Sequence, residues 1–159
     1  MPAAPVYYAR AAVSDDVRYR RNRFSARLPA SCRFTRSHAW MREVSPGEWR
    51  VGLTSFATRM LGEVVEFGFD VAAGAPVKTA EVIGFIEGFK AVSELYCVID
   101  GTFAGANPAA TADPARIWAH PHDDGWLYAA RGTPDPESVD VAGYVAFLDQ
   151  TIDRMQGGQ

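Results

Sequence analysis

Cysteine is nearly absent from this sequence of 159 residues, which contains only Cys32 and Cys97. Two cysteines cannot build the framework of several disulfides on which small secreted domains rely. We therefore interpret both as reduced residues, packed inside the protein or lying on its surface. Reduced cysteines fit a reducing compartment.

Long hydrophobic runs are also absent. No apolar stretch approaches the roughly 20 residues that a helix needs to span a bilayer, and the first residues lack the apolar core of a secretory signal peptide. Hydrophobic residues nevertheless make up 48% of the chain, which is enough for one globular domain with a core. We expect a soluble protein with no membrane partner.

Lysine is scarce as well, since Lys78 and Lys90 are the only two and every other basic residue is arginine. The charges are unevenly distributed. Residues 1–42 contain nine arginines against two aspartates, a net charge of +7, whereas the rest contains seven basic and seventeen acidic residues, a net charge of −10. An acidic body repels nucleic acid and suits docking onto positively charged protein surfaces.

Residues 1–30 are rich in alanine and arginine, and we interpret them as an extension that is disordered or packs only in part. A plain solvated arm is the favoured interpretation. An organelle transit peptide is a second one, although Asp15 and Asp16 argue against it. A nucleic-acid patch is the least favoured, because no folded motif accompanies the arginines.

Residues 31–159 form the second predicted unit, and turn residues divide it into short apolar segments. The segments with strand character are 34–43, 49–53, 63–67, 101–107 and 125–129. Many short strands of this kind predict an all-β sandwich or barrel.

Helices are few in this pattern. A short helix is predicted over residues 55–61, capped by Thr54 and closed by Gly62. A loop with one helical turn is predicted over residues 108–124. A C-terminal helix is predicted over residues 140–156, with Asp140 as N-cap. One face of that helix is apolar and indicates core or a docking surface rather than a cofactor pocket; its residues are Val141, Tyr144, Val145, Leu148, Ile152 and Met155.

Residues 82–97 are the most informative stretch, because two runs rich in β-branched and aromatic residues flank Gly88. They predict two strands joined by a tight turn that presents Lys90. A lysine at the tip of a rigid hairpin is exposed and reachable by another enzyme, as the attachment point of a carried group must be. The alternative is an ordinary turn lysine that pairs with Glu87, an interaction of about 0.2–1 kcal/mol.

The residues before this lysine form a longer and more specific pattern, Gly74-Ala-Pro-Val77 and then Val82-Ile-Gly84-Phe-Ile-Glu87. This order resembles the lipoyl and biotinyl carrier domains, in which a glycine-rich turn, a valine, a glycine and an apolar pair ending in an acidic residue precede the modified lysine. Biotinyl domains flank that lysine with methionines, whereas lipoyl domains follow it with alanine. Lys90-Ala91 therefore favours a lipoyl domain.

Further segments resemble the glycine cleavage system H proteins in order and spacing, over roughly residues 33–155. These segments are Phe34-Thr-Arg-Ser-His38-Ala-Trp40, Val51-Gly-Leu-Thr54-Ser-Phe-Ala, Leu61-Gly-Glu-Val-Val65, the lysine hairpin with Gly101, and Gly125-Trp-Leu127. The resemblance implies a mainly β fold, a barrel-sandwich hybrid of two small sheets with a short internal helix, a C-terminal helix and a lipoylated lysine on an exposed hairpin.

The resemblance also implies a function, that of a carrier without catalytic residues or a metal. Lipoate would be attached to Lys90 by lipoylating enzymes, and Glu87, Ala91 and Glu94 would serve recognition or contact the arm. Glu87 has a plain turn carboxylate as its alternative role. The arm would move an aminomethyl group between a glycine decarboxylase (pyridoxal phosphate), an aminomethyltransferase (tetrahydrofolate) and a flavin dihydrolipoyl dehydrogenase. We expect a monomer in the bacterial cytoplasm or, alternatively, in the mitochondrial matrix.

Several positions depart from the family pattern. H proteins have His-Glu-Trp where this chain has His38-Ala39-Trp40, Ser-Val where it has Gly88-Phe89, and Asn and Asp where it has Trp118 and His120. The missing carboxylate at Ala39 removes a partner for a cationic aminomethyl group. Two alternatives therefore remain: an H-like lipoyl protein of another pathway, such as lipoyl relay or sulfur metabolism, and an unmodified interaction module with the same fold.

The histidines raise a further alternative, a metal-dependent enzyme using residues 120–124, His-Pro-His-Asp-Asp. Pro121 separates the two imidazoles, and no cysteine or helical histidine pair supports them. We favour a polar surface loop. His38, beside Trp40, is interpreted as a packed, hydrogen-bonded histidine rather than a catalyst.

Overall fold

The computed structural model describes residues 16–157 of the chain. In chain order the strands are β1 (Val17–Arg21), β2 (Phe24–Leu28), β3 (Arg33–Phe34), β4 (Ala39–Ser45), β5 (Glu48–Leu53), β6 (Val64–Phe69), β7 (Pro76–Val77), β8 (Val82–Gly88), β9 (Val92–Tyr96), β10 (Ile99–Ala106) and β11 (Tyr128–Pro134). The helices are α1 (Ser55–Leu61), α2 (Pro108–Ala112), α3 (Ala115–Ala119) and α4 (Val141–Gly157). Among the residues described, no helix is both long and apolar enough to cross a bilayer.

The strands pair antiparallel into two small sheets and a separate hairpin. A six-stranded sheet has the order β3-β4-β5-β11-β10-β7, and a three-stranded sheet has the order β6-β8-β9. Strands β1 and β2 pair only with each other within the described range. The two sheets, the short helix α1 and the terminal helix α4 confirm the expected mainly β, barrel-sandwich architecture.

The main core lies between these two sheets, because alternate side chains of each strand point inward. Ile83 and Ile86 enter it from β8, and Ile99 and Phe103 enter it from β10. Cys97 is also in this core, and burial raises the pKa of its thiol, which stays protonated. Strand β8 leads directly into the candidate lysine, so the core holds the base of that hairpin.

A second core forms where α4 packs against β3, β4, α1 and the β1–β2 hairpin. Its central contact is a stack of the Phe34 and Tyr144 rings, whose centroids are 4.7 Å apart at an interplanar angle of 9°. Cys32 is also buried in this second core. The apolar face predicted for the C-terminal helix is therefore core at its centre, with Tyr144, Leu148 and Ile152 buried.

The N-terminal hairpin differs from the favoured interpretation of this segment. We interpreted residues 1–30 as a plain solvated arm, whereas β1 and β2 are strands that bury Tyr19, Phe24 and Leu28. The reason is a period of two: every second side chain faces the second core, and the exposed Arg18, Arg20 and Arg27 occupy positions between them. Residues 1–15 lie outside the described range, and the division of the chain at residue 30 stays a prediction.

The helix ends agree with the predicted caps. The Thr54 hydroxyl accepts a hydrogen bond from the Ala57 N–H, and the Gly62 N–H donates to the Thr58 carbonyl at the other end of α1. The Asp140 carboxylate caps α4 by accepting from the Gly143 N–H at 2.9 Å. These caps are local features, which explains why sequence alone predicts them.

The segment from residue 108 to residue 127 differs from the prediction. It contains two short helices, α2 and α3, where one helical turn was expected, and β11 begins at Tyr128 rather than at Gly125. The Gly125 N–H donates to the His120 carbonyl, which keeps this part of the chain in a turn. The Asn107 amide closes the segment by donating to the Asp124 and Trp126 carbonyls at 2.9 and 2.8 Å.

Candidate functional site

Lys90 lies in the turn between β8 and β9, as predicted. The Gly88 N–H donates to the Ala91 carbonyl at 2.9 Å and closes the turn. Phe89, Lys90 and Ala91 are all exposed. The structure therefore presents the lysine at the end of a closed, two-stranded support.

The tip of this hairpin is anchored to the C-terminal end of α1. The Lys90 N–H donates to the Leu61 carbonyl at 2.8 Å, and the Phe89 N–H donates to the Glu63 carbonyl at 3.0 Å. A Cβ atom on Gly88 would lie 2.3 Å from the Leu61 oxygen, so only glycine allows this approach. The backbone of the lysine is thus held by α1, while its side chain is exposed.

The Lys90 ammonium is available for chemistry. Its nitrogen lies 3.5 Å from the Arg59 carbonyl oxygen, one of the carbonyls that the end of α1 leaves without a helical partner. Within residues 16–157 the Lys90 nitrogen forms no ion pair, and Glu87 does not pair with it. The turn-lysine alternative offered that pair as the role of Glu87, and the described residues do not form it.

Glu87, Ala91 and Glu94 do not form one cluster with the lysine. Ala91 is beside it in the turn, and Glu87 lies on β8 opposite Glu66 of β6 and Val92 of β9. Glu94 lies further along β9, where its carboxylate accepts a hydrogen bond from the Tyr96 hydroxyl at 3.1 Å. Any joint role of these residues therefore depends on a group that extends from Lys90.

Two recesses lie on different sides of α1. The first, which we call the Glu94 cleft, has a volume of about 250 Å³ and is lined by residues that include Ala39, Leu53, Ala57, Leu61 and Glu94. The second, the Trp118 groove, has a volume of about 510 Å³, and its wall includes Phe24, Arg59, Phe89, Lys90 and Trp118. Lys90 itself lines only the second recess.

Charge is divided around the lysine. Three arginines, Arg18, Arg20 and Arg27, are exposed on the outer side of the β1–β2 hairpin. On the three-stranded sheet, Glu66 and Glu87 instead lie opposite each other on adjacent strands. A partner that approaches Lys90 therefore meets a basic surface on one side and an acidic surface on the other.

His38 is a structural residue, as interpreted from the sequence. Its Nδ1 lies 2.8 Å from the Tyr144 hydroxyl, which in turn lies 2.7 Å from the Thr54 hydroxyl. Its ring also packs against Phe56, with centroids 4.7 Å apart. Burial lowers the pKa of His38 to about 4, so the imidazole is neutral near neutral pH and links α4 to the start of α1.

His122 departs from the polar surface loop expected over residues 120–124, in which His120 and Asp123 are exposed. Its Nε2 accepts a hydrogen bond from the Ser55 N–H at 3.0 Å, and burial lowers its pKa to about 4. It is therefore a neutral packing residue at the start of α1. In the part of the chain that the structure describes, no group of three or more histidine, cysteine, aspartate or glutamate side chains is placed to hold a metal ion.

The N-terminal hairpin contributes to this region, which the sequence did not predict. Phe24 of β2 lines the Trp118 groove, and the Arg59 guanidinium lies 5.7 Å from the centroid of its ring. The alternation of Tyr19, Phe24 and Leu28 with arginines is the pattern that would have indicated a packed hairpin. Only the fold brings that hairpin next to Lys90.

Comparison with known proteins gives a consistent family. The family model described as glycine cleavage H-protein matches residues 32–142. A glycine cleavage system H protein from Thermobifida fusca (strain YX) is 36% identical over 112 residues, which cover 70% of this chain and 87% of that protein. A protein of the same name from Anaeromyxobacter sp. (strain K) is 36% identical over 128 residues, covering 77% of this chain and 97% of that protein.

A solved structure shows the same fold. The crystal structure of a glycine cleavage system H protein from Mycobacterium marinum superposes with a TM-score of 0.66 at 29% sequence identity. The match covers 83% of this chain and all of that one. The β1–β2 hairpin precedes the residues matched by the family model.

Proposed function

The chain belongs to the glycine cleavage H-protein family, and from that premise we propose that Lys90 is the residue that carries its lipoyl group. Members of this family are lipoyl carriers and not enzymes in their own right, so this protein is a carrier subunit of the glycine cleavage system. The observation that carries the proposal is the exposed Lys90 amine, which forms no ion pair with the described residues and lies on a hairpin tip whose backbone is anchored to α1.

The residues around Lys90 fit such an attachment. Acylation needs a reachable amine and room for the attached chain, and both the lysine and its neighbours Phe89 and Ala91 are exposed. When attached, lipoate supplies a reversible disulfide on which an aminomethyl group is carried. The protein supplies the position: a flexible side chain on a rigid base keeps the carried group at an effective concentration near millimolar at each docked enzyme.

Glu87 and Ala91 support recognition by the lipoylating enzymes. Ala91 leaves the side after the lysine open, because its side chain is small and exposed. Glu87 is half-buried on β8 and forms no ion pair among the described residues, so its carboxylate is available to a partner. Both residues match the family pattern around the lysine.

Glu94 is the arm-contacting residue in this proposal. It is the one carboxylate among the described residues that line the Glu94 cleft, since Ala39 stands in that lining where the family has glutamate. A cationic aminomethyl group that is partly removed from water needs a compensating charge. Glu94 supplies that charge in this chain without help from a second carboxylate.

The partners follow from the carrier role. We expect the glycine decarboxylase, the aminomethyltransferase and the dihydrolipoyl dehydrogenase of the glycine cleavage system to dock in turn at the face that contains Lys90. The three relatives described above all have the glycine cleavage name, which favours this pathway over lipoyl relay or sulfur metabolism. A bacterial cytoplasm is the expected location, since all three come from bacteria.

The test of the attachment site is the intact mass of the protein from cells that lipoylate other proteins, with peptide mapping across residues 82–97. We expect one lipoyl adduct on Lys90. Lys90→Arg should abolish it, whereas Lys78→Arg, which changes the only other lysine and is also exposed, should leave it unchanged.

Reconstitution with the three partner enzymes tests the pathway. The lipoylated protein should support exchange of the glycine carboxyl group with bicarbonate, and Lys90→Arg should reduce the exchange to background. An unmodified Lys90 would overturn the attachment proposal, and a biotinyl adduct would overturn its chemistry.

A further inference from the structure

The Trp118 groove lies on the side of α1 away from the Glu94 cleft and includes the candidate lysine in its wall. Its volume of about 510 Å³ falls within the roughly 300–1,000 Å³ range of small-molecule sites. Resting on the proposed attachment at Lys90, we infer that this groove is a resting site for the lipoyl arm in its uncharged, oxidised form. The N-terminal hairpin supplies one wall of that site.

The apolar surface of the groove fits such an occupant. Phe89 is 74% exposed and Trp118 is 49% exposed, although both are large aromatic residues. Covering them with a methylene chain would remove apolar area from water, at about 25 cal/mol per Å². A dithiolane ring adds sulfur–aromatic contacts of the kind that methionine makes, worth about 0.3–1.5 kcal/mol each.

Arg59 joins the two walls of the groove. Its guanidinium lies over the Phe24 ring, 5.7 Å from the centroid, and donates to the Arg23 carbonyl at 3.4 Å. The Arg59 side chain therefore extends from α1 to the β1–β2 hairpin, and its methylene groups line the surface between these two elements. The groove exists because the hairpin packs beside α1.

The geometry of the Lys90 side chain directs an attached group into this groove. The Lys90 nitrogen lies 3.5 Å from the Arg59 carbonyl oxygen. Acylation replaces the ammonium with an amide, which loses the charge but keeps one N–H that can donate to the same oxygen. The acyl chain then starts inside the groove rather than in open solvent.

The two recesses differ in the charge of their linings. Arg59 and Glu63 line the Trp118 groove with opposite charges, and acylation removes the charge of Lys90. The lining of the Glu94 cleft has a carboxylate and no basic residue. The neutral oxidised arm therefore fits the Trp118 groove, whereas a cationic aminomethyl group meets an unopposed carboxylate only in the Glu94 cleft.

The test uses the full-length protein with ¹³C-labelled lipoate on Lys90, after mass spectrometry has confirmed the adduct. We expect nuclear Overhauser contacts from the arm to the Trp118 and Phe24 rings. Contacts only to Ala57 and Leu61, which line the Glu94 cleft, would contradict the proposal that the arm rests in the Trp118 groove. The absence of any contact would contradict it as well. A protein without the adduct overturns the attachment itself, which the mass alone reveals.

A second measurement is the rate at which a water-soluble phosphine reduces the dithiolane. An arm that spends nine-tenths of its time in the groove reacts about tenfold more slowly than a free arm. Trp118→Ala should therefore raise the rate several-fold. Met60→Ala is the matched control, because Met60 is 48% exposed on α1 but does not line the groove. Equal rates in the wild type and both variants would contradict the inference, including the case in which a partner protein rather than the arm covers Trp118.

Discussion

Lys78 and Lys90 are both exposed, but their backbone N–H groups have different hydrogen-bond partners. Lys78 precedes a turn in which its own N–H donates to the Glu81 carboxylate. Lys90 has its N–H fixed to the carbonyl of a helix end, so the position of its Cα is determined by α1 as well as by its own hairpin. An enzyme that modifies lysine can distinguish the two by this presentation.

Glu94 allows a prediction at the residue scale. Glu94→Gln removes the charge from the Glu94 cleft, and the aminomethyl group of the loaded protein should be released into water faster. Because the carboxylate is exposed, the pair is worth at most about 1 kcal/mol, which limits the effect to about fivefold. The measurement is formaldehyde release from the loaded protein.

Glu66→Gln is the control for that experiment, since it removes an equal charge from the same sheet outside the cleft lining. Its release rate should equal that of the wild type. Identical acceleration in both variants would show that the general charge of the sheet, rather than Glu94, holds the carried group.

Among the elements, the β1–β2 hairpin is rich in arginine and yet is packed against the rest of the protein. It is clamped to α4 by polar contacts as well as by its core residues. The Tyr19 hydroxyl donates to the Asp149 carboxylate at 2.7 Å, and the Arg21 guanidinium binds the Asp153 carboxylate with two bonds of 2.9 Å. A segment with so many arginines therefore stays on the protein.

Leu28→Ala tests this packing. Leu28 is 1% exposed in the second core, and a buried leucine shortened to alanine costs about 2–5 kcal/mol. The exposed neighbour Arg27, changed to alanine, should alter the free energy of unfolding by less than about 0.5 kcal/mol. Denaturant unfolding of both variants measures the difference. Equal, small effects would mean that the hairpin is a solvated arm.

Sequence reasoning succeeds for elements whose causes are local. Helix α1 was predicted over its observed residues because Thr54 and Gly62 cap it directly, and the lysine turn was predicted because strands flank Gly88 closely. The hairpin was missed because its arginines dominate the composition. The Trp118 groove could not be predicted, since its walls come from β2, α1, α3 and the lysine turn, which are distant in the chain.

The whole molecule has two buried neutral histidines that make its stability depend on pH. In the folded protein, burial lowers the pKa of His38 and of His122 from 6.5 to about 4. Between pH 6.5 and pH 4 the unfolded chain binds protons that the folded protein does not. The free energy of unfolding is therefore highest above pH 6.5 and falls as the pH approaches 4.

We expect each histidine to lower the free energy of unfolding by about 2 kcal/mol when the pH falls from 7 to 5. The free energy of unfolding at the two pH values measures this. His122→Gln keeps an acceptor for the Ser55 N–H but does not titrate, so its stability should fall by about half as much over the same range. A variant with the same pH dependence as the wild type would exclude His122 as a source of it.

The division of charge around Lys90 has a consequence for the way enzymes approach the carrier. On a uniformly charged surface, a partner could dock in any rotational orientation about the lysine side chain. Here the arginines of β1–β2 border one side and Glu66 and Glu87 the other, so a partner with a complementary two-signed rim has one favoured azimuth. We therefore expect each partner enzyme to dock on the protein in the same orientation about Lys90.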